Sequence, residues 1–260
     1  MIELSLAEGV AEIVLNAPHK LNSLKEGDLG ELSAAYDEAA SAVAAGSVRA
    51  LLLRGEGRAF CAGRDIAGVD GANDDARRYL EGLLTPLLQK MSAFPAPTFA
   101  AAQGACLGVG LGLLIATDVV YVADNAKIGS PFGNLGATLD SGGHWLFAER
   151  LGMHRTLDLI YTAELMSGED AVKGGLFSRA MPAEDLLPTT RAAAEKAATG
   201  PTQAFNASKE LVAAIRDRRL GLWDAVVLEN KAQVELSHTS DYAEGFEAFS
   251  AKRKPGFTGR

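Results

Sequence analysis

Apolar and polar positions alternate over residues 2–6 (IELSL) and again over 10–15, with Ala7-Glu8-Gly9 able to turn between them, which predicts an N-terminal β-hairpin. Residues 29–45 are alanine-rich with apolar positions at helical spacing, and Gly46 ends them. The short apolar run 49–54 (RALLLR), bounded by Gly55, reads as a buried strand. A charged helix is expected over 74–91, broken by the FPAP of 94–97, with strands following at 98–102 and 118–123. From 151 to 250 the pattern is nearly all helical, interrupted at Gly168, Gly174-Gly175, Pro182, Pro188 and Gly200-Pro201. Strands alternating with helices and then a helical final third predict an α/β core whose own helical tail packs on it, on a partner subunit, or on both. No period of 20–50 residues repeats, which argues against a solenoid, and no Pro/Ser/Gly tract separates two cores.

Charge and composition narrow the function. The chain has 260 residues, 33 acidic against 25 basic, and a formal charge of −8 without a basic block, so nucleic acid is not an expected partner. Two cysteines, Cys61 and Cys106, are too few for a disulfide framework, and four scattered histidines do not suggest a metal site. The start, Met1-Ile2-Glu3-Leu4-Ser5, has no leader pattern, and the longest apolar stretch, 105–116, holds glycines and is too short to span a bilayer. The expectation is a soluble cytoplasmic protein with no membrane partner.

Two segments are suited to presenting backbone donors. Residues 58–66 (RAFCAGRDI) follow the 49–54 strand and are small and glycine-containing, so a ligand could approach their N–H groups. Gly108-Val109-Gly110-Leu111-Gly112 opens an apolar helix, whose first amides are unpaired and carry partial positive charge. Two such sites converging on one carbonyl oxygen would form an oxyanion hole; otherwise the glycines serve tight turns and close packing. The spacing is G-x-G-x-G, not the dinucleotide G-x-G-x-x-G, and neither a Walker A loop nor a G-x-S-x-G elbow is present. Cys61 reads as a buried hydrophobe more readily than as a nucleophile. Asp140, within GATLDSGG (136–143), reads either as a helix N-cap or as an acid–base group in an apolar cleft.

Four stretches taken together resemble the signatures of the enoyl-CoA hydratase/isomerase (crotonase) superfamily: 15–24 (LNAPHKLNSL), 57–66 (GRAFCAGRDI), 101–110 (AAQGACLGVG) followed by 118–121 (DVVY), and a C-terminal EGFEAF (244–249) with KRKPGF (252–257). The resemblance implies an α/β crotonase-like spiral of ββα units with a helical C-terminal trimerisation region, divided here into a core at 1–195 and an oligomerisation region at 196–260. It implies an acyl-CoA thioester substrate, with coenzyme A part of that substrate and no further cofactor, and a homotrimer or dimer of trimers. By carry-over, the Arg64 and Val109 amides form the oxyanion hole. Ala62, Asp65 and Ile66 line the substrate path, and Lys20 and Leu21 flank the nucleotide.

Departures from the family pattern matter for mechanism. Hydratases of this type use two glutamates, and their positions here hold Gly112 and Phe132. Asp140 matches the position used by bacterial single-aspartate isomerases that resemble 1,2-epoxyphenylacetyl-CoA isomerase. The dehalogenase branch, which shares that aspartate, relies also on a histidine and a tryptophan where this chain has Gln89 and Phe132. The expectation is therefore a double-bond isomerase, with Asp140 as acid–base and Phe132, Leu135 and Leu139 keeping water away. The alternative is a non-catalytic acyl-CoA binder or weak hydratase. His144, four residues after Asp140, is read as a half-exposed helix residue or as a partner of Asp140.

Overall fold

The structure, a computed structural model, describes residues 1–260. The N-terminal hairpin is β1 (Ile2–Ala7) and β2 (Val10–Leu15), and α1 (Glu26–Ala44) follows. Next come β3 (Ala50–Gly55), a helical run that passes through a π-helical stretch at Arg78–Leu84 into α2 (Thr85–Ser92), and β4 (Thr98–Ala102). The middle of the chain holds β5 (Ala105–Leu107), α3 (Val109–Ile115), β6 (Val119–Ala123), β7 (Lys127–Gly129) and α4 (Gly143–Thr162). Short elements β8 (Met166–Ser167), α5 (Gly168–Lys173) and β9 (Arg179–Met181) lead to four helices: α6 (Ala183–Ala198), α7 (Thr202–Arg218), α8 (Leu222–Leu236) and α9 (Ser240–Ser250).

Six strands form one sheet in the order β1-β2-β3-β4-β6-β9, antiparallel only at the hairpin, while β5, β7 and β8 form a second, smaller sheet. The chain leaves the large sheet, adds a strand to the small one and continues into a helix, as in β4-β5-α3 and β6-β7-α4. These are the ββα turns of a crotonase-like spiral. The repeat is structural and leaves no sequence period, because each turn packs different neighbours and only its backbone path recurs.

The central strands are apolar runs because both faces are covered. Leu51 and Leu53 of β3 point into the main core with Ile13, Leu15 and Phe60, while Ala50 and Leu52 pack with Phe99 against Ala194 and Ala198 of α6. The division expected after residue 195 falls inside α6, which lies on the sheet. Beyond it, Lys209 of α7 reaches the Phe94 carbonyl and the Asp118 carboxylate, both at 3.0 Å, and Arg49 donates to Thr202, Gly200 and Phe257. Farther out, α8 presents an unpartnered apolar set that includes Leu222, Trp223, Val227 and Val234, with Trp223 76% exposed. No helix is long and apolar enough to cross a membrane.

Candidate active site

Three loops meet at the carboxyl ends of β2, β3 and β4. Asn22, fully buried, ties the first loop to the second: its Oδ1 accepts from Ala17 N at 2.8 Å, and its Nδ2 donates to the Glu56 and Ala59 carbonyls at 3.0 and 2.8 Å. Gln103 holds the third by donating to the Gly55 and Gly57 carbonyls. Neither anchor stands out by composition, since both are ordinary amides within longer motifs.

These ties bring the expected substrate-binding residues together. Ala62 N donates to the Leu21 carbonyl at 2.9 Å, which sets the Lys20-Leu21 loop beside 62–65. Lys20 lies 3.4 Å from both Asp28 and Asp65, and Lys25 lies 3.9 Å from Asp65. The Asp65 carboxyl sits below its ordinary value, chiefly because it accepts the Ala67 N–H and also because of Lys20. Ile66 is exposed at the rim.

The amides of Arg64 and Val109 are both left free, for different local reasons. Leu24 bridges past Arg64, donating to the Gly63 carbonyl and accepting from Asp65 N, each at 2.9 Å, which turns the Arg64 N–H to the other side. Val109 is the first residue of α3, so its N–H has no intrahelical partner. Gly108 ahead of it is pinned by donation to the Gly129 carbonyl and the Ser130 hydroxyl, both at 3.2 Å. The segments touch: a Cβ added to Gly63 would fall 3.0 Å from the Leu107 carbonyl oxygen, and one on Gly108 4.0 Å from Gly63 Cα. Two donors flanking one contact, with the positive end of α3 behind one of them, suit an oxygen that gains negative charge.

The Arg64 side chain is directed elsewhere. Its guanidinium forks onto Asp74 at 2.7 and 2.6 Å and lies 4.3 Å above the Tyr79 ring. It does not pair with the adjacent Asp65, which faces Lys20. Tyr79, in the π-helical stretch within the expected 74–91 helix, is buried and donates to the Leu24 carbonyl at 3.2 Å.

Asp140 is not a helix cap. Gly142 occupies the N-cap position of α4, and the Asp140 carboxylate instead accepts the Ser141 hydroxyl at 2.6 Å. Burial pushes its proton affinity above the ordinary aspartate value, opposed by the Ser141 hydrogen bond and by the Arg64 charge. Its neighbour Ser141 rests on α3: a Cβ at Gly112 would fall 2.4 Å from Ser141 Cβ. The Phe132 ring lies against Gly108, 2.9 Å from where a Cβ there would stand. The positions that would carry glutamates in a two-carboxylate site therefore adjoin the Asp140 turn and the Val109 amide, and neither can move a proton.

The surrounding apolar shield is incomplete within one chain. Leu139 is buried and Phe132 half-buried, but Leu135 is 62% exposed and does not close over Asp140, contrary to the expectation from sequence. It sits in a 3-10 turn, Phe132–Leu135, which aims its side chain outward. His144 is exposed, with Nε2 3.3 Å from Thr138 Oγ1, and its hydrogen bond is with that threonine. Trp145 is partly exposed and stacks with Arg216, whereas Phe147 is core. Cys61 is fully buried with its thiol pushed up to about 12 by desolvation, so it is not a nucleophile.

The family model described as enoyl-CoA hydratase/isomerase matches residues 5–260. The chain is 37% identical to the "Probable enoyl-CoA hydratase" of Rhodobacter capsulatus, covering 100% of this chain and 98% of that one. It is 33% identical to the 1,2-epoxyphenylacetyl-CoA isomerase of Escherichia coli, covering 97% and 96%. Among solved structures, an enoyl-CoA hydratase from Bacillus anthracis superposes with a TM-score of 0.89 at 28% identity, covering 100% of this chain and 99% of that one. The fold, the free amide pair and these matches along the whole length lead to one conclusion: the chain belongs to the enoyl-CoA hydratase/isomerase family.

Proposed function

We propose that this family member is an acyl-CoA double-bond isomerase that converts a 3-enoyl-CoA to the conjugated 2-enoyl-CoA with one carboxylate. The observation that carries the reading is the pairing of a half-buried Asp140 with two free amides, while Gly112 and Phe132 stand where a hydratase would need glutamates. Asp140 takes a proton from C2, and the thioester oxygen of the resulting dienolate rests on the Arg64 and Val109 amides. The same carboxyl returns the proton at C4, so the double bond moves with no net loss or gain of atoms. Each backbone donor contributes about 3 kcal/mol to the transition state. Isomerisation of a ring-epoxide acyl-CoA needs the same groups, and the 33% identity to the 1,2-epoxyphenylacetyl-CoA isomerase keeps that substrate within the proposal.

The test is incubation with 3-hexenoyl-CoA while following conjugated-enoyl absorbance. The proposal expects an increase without 3-hydroxyacyl-CoA. Acyl-CoA binding with no increase from any 3-enoyl or ring-epoxide thioester would leave the binder reading in its place, and hydration of a 2-enoyl-CoA that survives loss of Asp140 would restore the hydratase reading. The pH profile adds a second check. Asp140 must be ionised to take the first proton, so kcat/KM rises as pH rises through its pKa. Because burial lifts that pKa, the rising limb is expected above the ordinary aspartate range.

The proposal includes a homotrimer, or a dimer of trimers, closed by the apolar face of α8, where Leu222, Trp223 and Val227 are exposed in one chain. Light scattering should give a mass three or six times that of a single chain. Trp223→Glu should shift it towards the monomer, and a monomeric wild-type protein would refute this part.

A further inference from the structure

We propose that Ser141 is a positioning residue for Asp140, its Cβ seated in the space that Gly112 leaves empty and its hydroxyl holding the carboxylate. The inference rests on the isomerase reading and adds to it an account of which carboxylate oxygen does the work. The Ser141 hydroxyl donates to Asp140 Oδ1 at 2.6 Å, which leaves Oδ2 as the oxygen free to meet a substrate proton. A carboxyl group otherwise has a broad, two-fold torsion about its last bond. Holding it at one oxygen lets one site accept a proton at C2 and give it back at C4, where misplacement would be costly.

The backbone supports the assignment. Ser141 has φ 54°, in the left-handed region, and Gly142 follows at φ 90°, so two successive residues turn the chain into α4. Glycine at 141 would adopt this conformation without strain; what serine adds is the hydroxyl. Adjacent side chains do not normally face each other, and the left-handed turn is what folds Oγ back to the preceding carboxylate. The turn is seated on α3. A Cβ at Gly112 would come within 2.4 Å of Ser141 Cβ and 3.1 Å of its Oγ, so any side chain at 112 would dislodge the hydroxyl. The glycine that cannot serve as a hydratase base thus has a positive role here.

The hydrogen bond also has a chemical consequence. The groups acting on Asp140 are the low-dielectric surroundings, which raise its pKa, and the Ser141 hydroxyl and Arg64, which lower it; the Asp140 charge in turn adds to the raising of the Tyr79 phenol. Only the Ser141 contribution is lost on substitution at 141. Ser141→Gly is the informative variant, because glycine suits the turn and the fold should be retained with an unchanged or higher Tm.

The experiment measures kcat/KM for 3-hexenoyl-CoA against pH for wild type, S141G, G112A and the double variant. S141G is expected to move the rising limb up by about one pH unit and to lower kcat about 10-fold, with KM within about two-fold of wild type. G112A keeps the hydroxyl in the chain but displaces it, so the same limb shift is expected, and the double variant should add little to S141G alone. A folded S141G with the wild-type limb and kcat would overturn the assignment, even with Asp140→Asn inactive. An active Asp140→Asn would overturn the isomerase reading itself, so the two failures are distinguishable.

Discussion

Asp140→Asn should lower kcat for 3-hexenoyl-CoA by about 10³-fold, within the range spanned by a positioned general acid–base group. Asparagine keeps the size of the side chain and can still meet the Ser141 hydroxyl, so the turn into α4 is undisturbed. It cannot accept a proton from C2, and nothing nearby replaces it: His144 bonds Thr138, Cys61 is sealed in the core, and Arg64 is locked onto Asp74. Acyl-CoA affinity should be unchanged, because the residues proposed to flank the thioester and nucleotide lie on other loops. Calorimetric binding with stopped-flow absorbance separates the two effects. A variant retaining more than about a tenth of wild-type kcat would show that another base does the work.

Val109→Pro should cost about 10²- to 10³-fold in kcat by deleting one oxyanion donor. Val109 is the first residue of α3, a position where proline is well tolerated and its missing N–H breaks no helical bond. Glycine before it accepts the restriction that proline imposes on its neighbour. The pH profile of the residual activity should keep its wild-type limb, since Asp140 is untouched, and circular dichroism should show the helix content preserved. An unchanged kcat in a folded protein would mean that the Val109 amide does not hold the developing oxyanion.

Much of this was legible in the chain itself, for reasons that can be named. The hairpin, β3, β4, β6 and α1 are long enough for alternation or an unbroken apolar run to show, and each lies where the pattern places it. The strands β5, β7, β8 and β9 have two or three residues, too few for a period, and the large glycine content around β5 reads as loop. The spiral was legible through the family resemblance and not through periodicity, because its turns share a backbone path without sharing residues.

At the site, the donor segments were visible from small residues and a helix start, whereas side-chain partners were not. Arg64 and Asp65 are adjacent on an extended segment, so their side chains point to opposite sides; Arg64 meets Asp74 and Asp65 meets Lys20. Asp140 looked like a cap because an aspartate stood just before a helix, yet two left-handed residues intervene and direct its carboxylate elsewhere. Ser141 gave only the faint signal of a hydroxyl beside an acid and before two glycines. Leu135 was expected inward from its apolar character alone, and the 3-10 turn that carries it sets it outward.

The most direct measurement is a crystal structure of the Asp140→Asn protein holding 3-hexenoyl-CoA. The account predicts the thioester oxygen within hydrogen-bond reach of both the Arg64 and Val109 amides, with the side chain at 140 about 3–3.5 Å from C2 and able to reach C4. A side chain at 140 turned away into solvent, with a different titratable residue over C2, would contradict it.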